Sequence, residues 1–147
     1  MQFEYLVRGI IFAGGKVLLV RQKDGSNTFL PGGHIEAGER AESALVREIA
    51  EELGETATIK NFVGAVEHAW IDDGQATHEI NLVFEAAVPD LDSRKPPESL
   101  EPHLEFFWAD LSSLEALNLQ PYPLRECLRS IERGYNGFWG TSLEETV

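Results

Sequence analysis

Residues 33–54 read GHIEAGERAESALVREIAEELG. A glycine-bearing turn leads into a helical period. Leu45, Ile49 and Leu53 recur every fourth residue, with Ala41 and Ala44 beside them, the spacing of one helical face. The pattern predicts a helix over 39–53, closed by Gly54 where a left-handed cap is usual. Glu48, Glu51 and Glu52 stand on it at i, i+3 and i+4. Side chains at those spacings are neighbours, and like charges there weaken a helix. At about 100° per residue, Glu52 falls inside the edge of the face set by Leu45, Ile49 and Leu53. Glu48 lies just beside that face, and Glu51 and Glu55 lie further out. A carboxylate turned toward the protein body is costly unless something cationic meets it. Arg47 points about 100° away from Glu48 on the same wheel, so it cannot neutralise the cluster alone. A hard cation such as Mg²⁺ suits carboxylate oxygens. The plainer alternative is a solvated acidic face, and the letters EIAEE do not separate the two.

Before this stretch, residues 3–13 are rich in Phe, Tyr, Val and Ile and read as a strand. Gly14-Gly15 reads as a hairpin turn. Residues 16–22 (KVLLVRQ) form a second strand, and residues 28–30 a short third one ended by Pro31 and the Gly32-Gly33 turn. After the helix, strands are predicted over 56–70 and 77–88, joined by the turn signal Asp72-Asp73-Gly74-Gln75. A polar, proline-bearing loop covers 89–102, and residues 104–109 (LEFFWA) form another strand. Residues 112–118 read as a short helix and 123–133 as a longer one. A tail then carries Tyr135, Phe138 and Trp139. No internal repeat or linker divides the chain, so residues 1–147 are expected to form a single domain. Strands around a central helix suggest an α/β (α+β) architecture with a mixed sheet flanked by helices.

The 147 residues suffice for one domain with a real core. With 43% hydrophobic and 25% charged residues, the composition excludes a mainly disordered chain. One cysteine, Cys127, excludes a disulfide scaffold; its RECLRSI setting reads as buried apolar packing. The longest uncharged apolar run begins at Gly9 and ends before Lys16, far short of the ~20 residues of a bilayer span. The N-terminus carries Glu4 early and has no basic region, so it does not read as a signal peptide, and a cytoplasmic setting is expected. The net charge of −13 repels nucleic-acid backbones and anionic lipid. Neither a nucleic-acid polymer nor a membrane is therefore an expected partner.

The glycine turn and its fixed spacing to the acidic helix resemble the signature of the Nudix (MutT-like) hydrolases. In that family a Gly is followed after five residues by Glu, and after seven more by Arg-Glu, an aliphatic residue, any residue, Glu-Glu, any residue, Gly and usually an aliphatic residue. Gly33, Glu39, Arg47, Glu48, Ile49, Glu51, Glu52 and Gly54 match it; Glu55 departs from it at the helix exit, away from the acidic cluster. The preceding LPGGHIE is also typical. The resemblance is specific over residues 5–55 and architectural beyond. It implies a Nudix-like α/β/α sandwich with a mixed sheet. It also implies metal-dependent hydrolysis of a nucleoside diphosphate linked to another group, with Mg²⁺ or Mn²⁺ as cofactor and a small nucleotide as partner. By motif position, Glu48, Glu51, Glu52 and the Gly33 carbonyl are the implied metal ligands, and Glu39 and Arg47 the implied structural brace. The catalytic base is one of these glutamates or one from a later loop. Homodimers are frequent in the family, so a homodimer is a further implied partner.

Physical chemistry agrees with that reading. Phosphoanhydride cleavage is mostly positioning and charge neutralisation, and a bound cation lets a −13 protein accept a polyanion. Outside the box, Glu98, Glu101 and Glu105 lie in or after the long loop, and Glu101 is the favoured extra ligand or base. Arg21 and Lys23, at a strand end, are candidates for substrate phosphates. His68, His78 and His103 read as structural or solvent-facing. Trp70, Phe106, Trp108 and Trp139 could stack on a base but read as core. The proline that ADP-ribose hydrolases of the family carry downstream of the box is absent, as is the tyrosine of the diadenosine polyphosphate enzymes. The rival reading is a catalytically silent Nudix-like nucleotide-binding regulatory module, although such modules usually lose box glutamates.

Overall fold

The computed structural model describes residues 1–145. The chain opens with β1 (Gln2–Ile10), whose apolar run is buried on both faces, as for an interior strand. β1 pairs parallel with β6 (Gln75–Ala87) and antiparallel with β4 (Gly32–His34). β6 forms an antiparallel hairpin with β5 (Thr58–Asp72), which pairs parallel with β8 (Phe138–Thr141). The sheet therefore runs β4-β1-β6-β5-β8 and is mixed. A second sheet contains β2 (Phe12–Ala13), β3 (Lys16–Gln22) and β7 (Leu104–Ala109), in the order β2-β3-β7. The β5–β6 turn places Asp73 and Gly74 at positive φ, 48° and 76°, the geometry a two-residue hairpin turn requires.

Two helices cover opposite faces. α1 (Ala41–Leu53) buries Ala44, Leu45, Ile49 and Leu53 against Val7, Leu18 and Phe84. α2 (Pro123–Glu132) buries Leu124, Cys127 and Leu128 against Ile10, Leu19, Val66 and Val83. Neighbours such as Val83 and Phe84 go to different clusters because strand side chains alternate in direction. Burial pushes the Cys127 thiol up to about 12, in keeping with an apolar role. No helix among the described residues is long and apolar enough to cross a membrane.

Several boundaries differ from the sequence reading. The helix begins at Ala41, not at residue 39, with Arg40 extended at its cap; Glu39 remains outside to meet Arg47. Residues 3–13 break between Ile10 and Phe12. Residues 28–30 make only isolated bridges, Val20 to Phe29 and Thr28 to Leu119. Gly32–His34, read as a turn, is strand β4. A Cβ on Gly32 would lie 2.0 Å from the Val7 carbonyl oxygen, so glycine is what lets β4 lie against β1. Residues 112–118 hold one 3₁₀ turn, Leu111–Ser113, followed by further turns. Strand β8 lies in the tail, for which no element is predicted from the sequence.

Candidate functional site

The site is a cleft of about 800 Å³ on the α2 side of the larger sheet, beyond the end of α2's packing. Alternate residues of three strands form its floor: Glu4, Leu6 and Arg8 of β1, Glu79 of β6, and His68, Trp70 and Asp72 of β5. Gly32, Gly33 and His34 of β4 form one rim. Glu48 and Glu52 reach in over that rim from α1.

Glu52 is 9% exposed, and its Oε2 is buried with no hydrogen-bond partner. Burial, then the neighbouring Glu48 carboxylate, push its carboxyl up to about 8, against the opposing pull of Arg8. Burial also raises Glu48, while Arg47 pulls it down. Gly33 faces this pair so closely that a Cβ there would lie 2.6 Å from the Glu48 carboxyl carbon. The wheel thus placed Glu52 and Glu48 correctly, with Glu51 further out.

Arg47 reaches further than its wheel position suggests, yet does not neutralise the acidic cluster alone. Its backbone direction diverges from Glu48, but the long guanidinium folds back across the helix surface. It donates to Glu39 at 2.8 and 2.9 Å, to Glu48 at 3.1 Å, to Glu51 at 3.3 Å and to the His34 carbonyl at 3.1 Å. Its hydrogen bonds hold Glu39 down at about 2. Arg47 therefore ties the turn, β4 and two box glutamates together, and leaves Glu52 to find another cation. Among the described residues, no three His, Cys, Asp or Glu side chains converge tightly enough to hold a metal ion without adjustment. With like charges repelling, Glu48 and Glu51 lean instead on Arg47.

The cation nearest in effect to Glu52 on the floor is Arg8, a residue outside the glycine–helix motif. Its Nε donates to Asn81 Oδ1 at 3.2 Å and its Nη1 to the Leu30 carbonyl at 3.1 Å. Burial lowers its pKa, while Glu79, Glu52, Glu48 and Glu4 raise it. Asn81 in turn donates to Glu79 at 3.2 Å. These residues carried a signal: a lone Arg in YLVRGII and the polar pair in HEINLVF interrupt strands that are otherwise buried, and buried polar groups must find partners.

The other candidates separate. Arg21 pairs with Glu105 and lies over the Phe107 ring. It lines a smaller hollow of about 230 Å³ together with Arg8 and Glu52. Lys23, Glu98 and Glu101 line a different hollow. Even so, Glu101's charge contributes to raising Glu52, and its loop is pinned to the helix end by the Leu100 N–H on the Glu52 carbonyl at 2.7 Å. His68 and His103 line the cleft, His103 on the exposed side as its solvent-facing reading allows. His68 Nδ1 lies 2.5 Å from Ser142 Oγ, and burial lowers its pKa. His78 lies against Phe3. Phe106 is core, but Trp70 is 38% and Trp139 60% exposed, so neither is a core residue. Trp108 packs at the edge of the α1 cluster.

Glu52 makes stability depend on pH. Folded, it releases its proton near 8; unfolded, near 4.5. Between those values only the folded state keeps the proton, so its contribution falls as pH rises, by at most about 1.4 kcal/mol per pH unit. In metal-free protein, Glu52→Gln is expected to remove that part of the slope. Denaturant titrations at pH 5 and pH 8 measure it, and parallel pH trends for the two proteins would refute it.

Comparison with known proteins gives a consistent result. A family model described as NUDIX domain matches residues 5–130. An ADP-ribose pyrophosphatase of Methanocaldococcus jannaschii is 40% identical over 83 residues, covering 53% of this chain and 47% of that protein. A putative 8-oxo-dGTP diphosphatase of Bacillus subtilis is 42% identical over 60 residues, covering 41% of this chain and 40% of that one. The match thus spans less than half the length of either relative. A NUDIX hydrolase from Nitrosomonas europaea superposes with a TM-score of 0.71 at 22% identity, covering 92% and 93% of the two chains, which shows the shared fold.

Proposed function

Since the chain belongs to the NUDIX domain family, we propose that it is a metal-dependent pyrophosphohydrolase that cleaves the phosphoanhydride of a nucleoside diphosphate linked to another group. The observation that carries this reading is Glu52 Oε2, a carboxylate oxygen buried without a partner at the wall of the cleft. An orphaned acceptor of that kind calls for a cation. The residues around it suit Mg²⁺ or Mn²⁺: carboxylate and carbonyl oxygens, with no sulfur. Glu48, Glu51, Glu52 and the Gly33 carbonyl would hold the ion, which when bound would supply the positive charge that phosphate oxygens require.

The chain's own residues divide the remaining work. Arg47 and Glu39 brace the turn against the helix. Arg8, fixed by Asn81 and Leu30, gives the floor one guanidinium between the α1 carboxylates and Glu79. Arg21 borders the same end of the cleft and is a candidate for a phosphate; Lys23 lies further off and is the weaker one. Water is the nucleophile. Glu101, on its pinned loop, is the candidate proton acceptor. The relatives' named substrates, ADP-ribose and 8-oxo-dGTP, both contain a nucleoside joined to a phosphoanhydride, which supports the same substrate class here.

Millimolar Mg²⁺ is expected to raise the melting temperature through binding to the folded state, worth about 2.7 kcal/mol at a hundredfold excess over Kd. Hydrolysis of nucleoside triphosphates, nucleotide sugars, ADP-ribose and dinucleoside polyphosphates, followed by the nucleotide product released, should require Mg²⁺ or Mn²⁺. Metal binding with no turnover across that panel would favour the silent nucleotide-binding module. No thermal shift would favour a solvated acidic face.

A further inference from the structure

The cleft has two parts. Gly33, Glu48 and Glu52 line its α1 side. Trp70, Glu79 and Glu4 lie on its strand floor, where Glu4 Oε1 accepts from Gln2 at 3.2 Å and Oε2 lies 3.5 Å from His34 Nε2. Glu4 and Glu79 are register partners on adjacent parallel strands, so their backbones are about 4.8 Å apart and their side chains rise from the same face. Glu79 is 6% exposed. Its Oε1 accepts from the Asn81 amide at 3.2 Å, and its Oε2 faces Trp70 Nε1 at 3.5 Å. Each oxygen keeps a second lone pair. The nearby donors are already engaged: the Asn81 amide and the Trp70 indole N–H are turned to Glu79 and the Val66 carbonyl, and the Arg8 guanidinium is held by Asn81 Oδ1 and the Leu30 carbonyl. This part of the floor therefore offers carboxylate acceptors beneath a partly exposed aromatic ring.

That polarity orients a nucleotide. Phosphates are repelled by Glu4 and Glu79, whereas a neutral ring bearing adjacent N–H groups is attracted by charge-assisted hydrogen bonds. Guanine carries two such donors, N1–H and the N2 amine, on one edge. Adenine and cytosine place their amine beside a ring-nitrogen acceptor, and uracil has one N–H between two carbonyls. An acceptor facing a buried carboxylate is left unsatisfied at both atoms.

We propose that Trp70, Glu79 and Glu4 form a nucleobase subsite that selects guanine-type bases, Trp70 stacking on the ring while the two carboxylates accept from its N1–H and N2 amine. The proposal rests on the nucleotide-site reading of the cleft given above.

Calorimetric titration of the intact protein with GDP, IDP and ADP, in Mg²⁺, tests it. GDP is expected to bind at least about 10-fold more tightly than ADP, with IDP, which lacks the N2 amine, in between. Glu79→Gln should bring GDP to the level of ADP, and Glu4→Gln, at the more exposed partner, should narrow the gap. Melting curves accompany both variants. Should Glu79→Gln fail to fold, Glu4→Gln and the wild-type base series carry the test. Equal affinity for GDP and ADP, no binding of GDP, or an unchanged preference in the folded variants overturns the subsite. Release of the nucleotide product from the substrate panel is followed separately. Turnover without base preference refutes the subsite and leaves the hydrolase; GDP-selective binding without turnover does the reverse.

Discussion

Glu52→Gln is expected to lower metal-dependent turnover by at least about 10³-fold while the fold stays in place. Two physical facts support the separation. The substitution is nearly isosteric, and it removes a charge that the metal-free protein already disfavours, since the Glu52 carboxyl is pushed up to about 8 by burial and by Glu48. Structure therefore gains or is unchanged. Chemistry loses, because a neutral amide in place of this buried, unpartnered carboxylate oxygen cannot meet a divalent cation. The measurement is kcat against Mg²⁺ concentration beside a melting curve. Turnover within a few-fold of wild type would remove Glu52 from the proposed ligand set.

The second large effect separates two adjacent glycines. Gly32→Ala is expected to destabilise the domain by more than about 3 kcal/mol. Gly32 sits at φ 148°, and its added methyl would lie 2.0 Å from the Val7 carbonyl oxygen, which cannot move without parting β4 from β1. Gly33→Ala meets the end of a side chain instead, 2.6 Å from the Glu48 carboxyl carbon. That carboxylate can swing aside, so stability should change by only about 1 kcal/mol, whereas Mg²⁺ affinity should fall at least about 10-fold. Denaturant midpoints and metal titration of the two variants distinguish the effects. Wild-type Mg²⁺ affinity in Gly33→Ala would detach Glu48 and Gly33 from the proposed ion.

The acidic helix was legible because two periodicities coincide on it. The apolar period sets the buried face, and the glutamates could then be placed relative to it. Glu52 and Glu48 stand where the wheel put them. Arg47 did not, because a wheel records where Cβ points and an arginine side chain spans most of a helical turn beyond that point. The cleft floor was less legible for a different reason. Arg8, Glu79 and Asn81 acquire meaning only through strand pairing, and nothing local to VRG or HEIN states that β1 and β6 lie side by side. Strand β8 was hidden likewise: its four residues pair with β5 across Gly64, whose missing side chain admits the Phe138 backbone. Sequence period reports which way residues face within one element; it does not report what they face.

The parallel pairing of β1 with β6 also governs when the site can come into existence. Arg8 and Asn81, joined on the floor, are 73 positions apart, and Arg21 and Glu105, beside them, are 84 apart. Contacts of such separation close long loops, and topologies rich in them fold slowly. On a ribosome, the acidic helix is complete well before β6 emerges to complete the floor beneath it. The carboxylates thus emerge early, and the guanidinium network that organises their surroundings is assembled late. Recovery of the proposed activity during refolding should therefore track closure of the two long-range strand pairs, β1–β6 and β3–β7, making turnover a kinetic reporter on the topology of the chain.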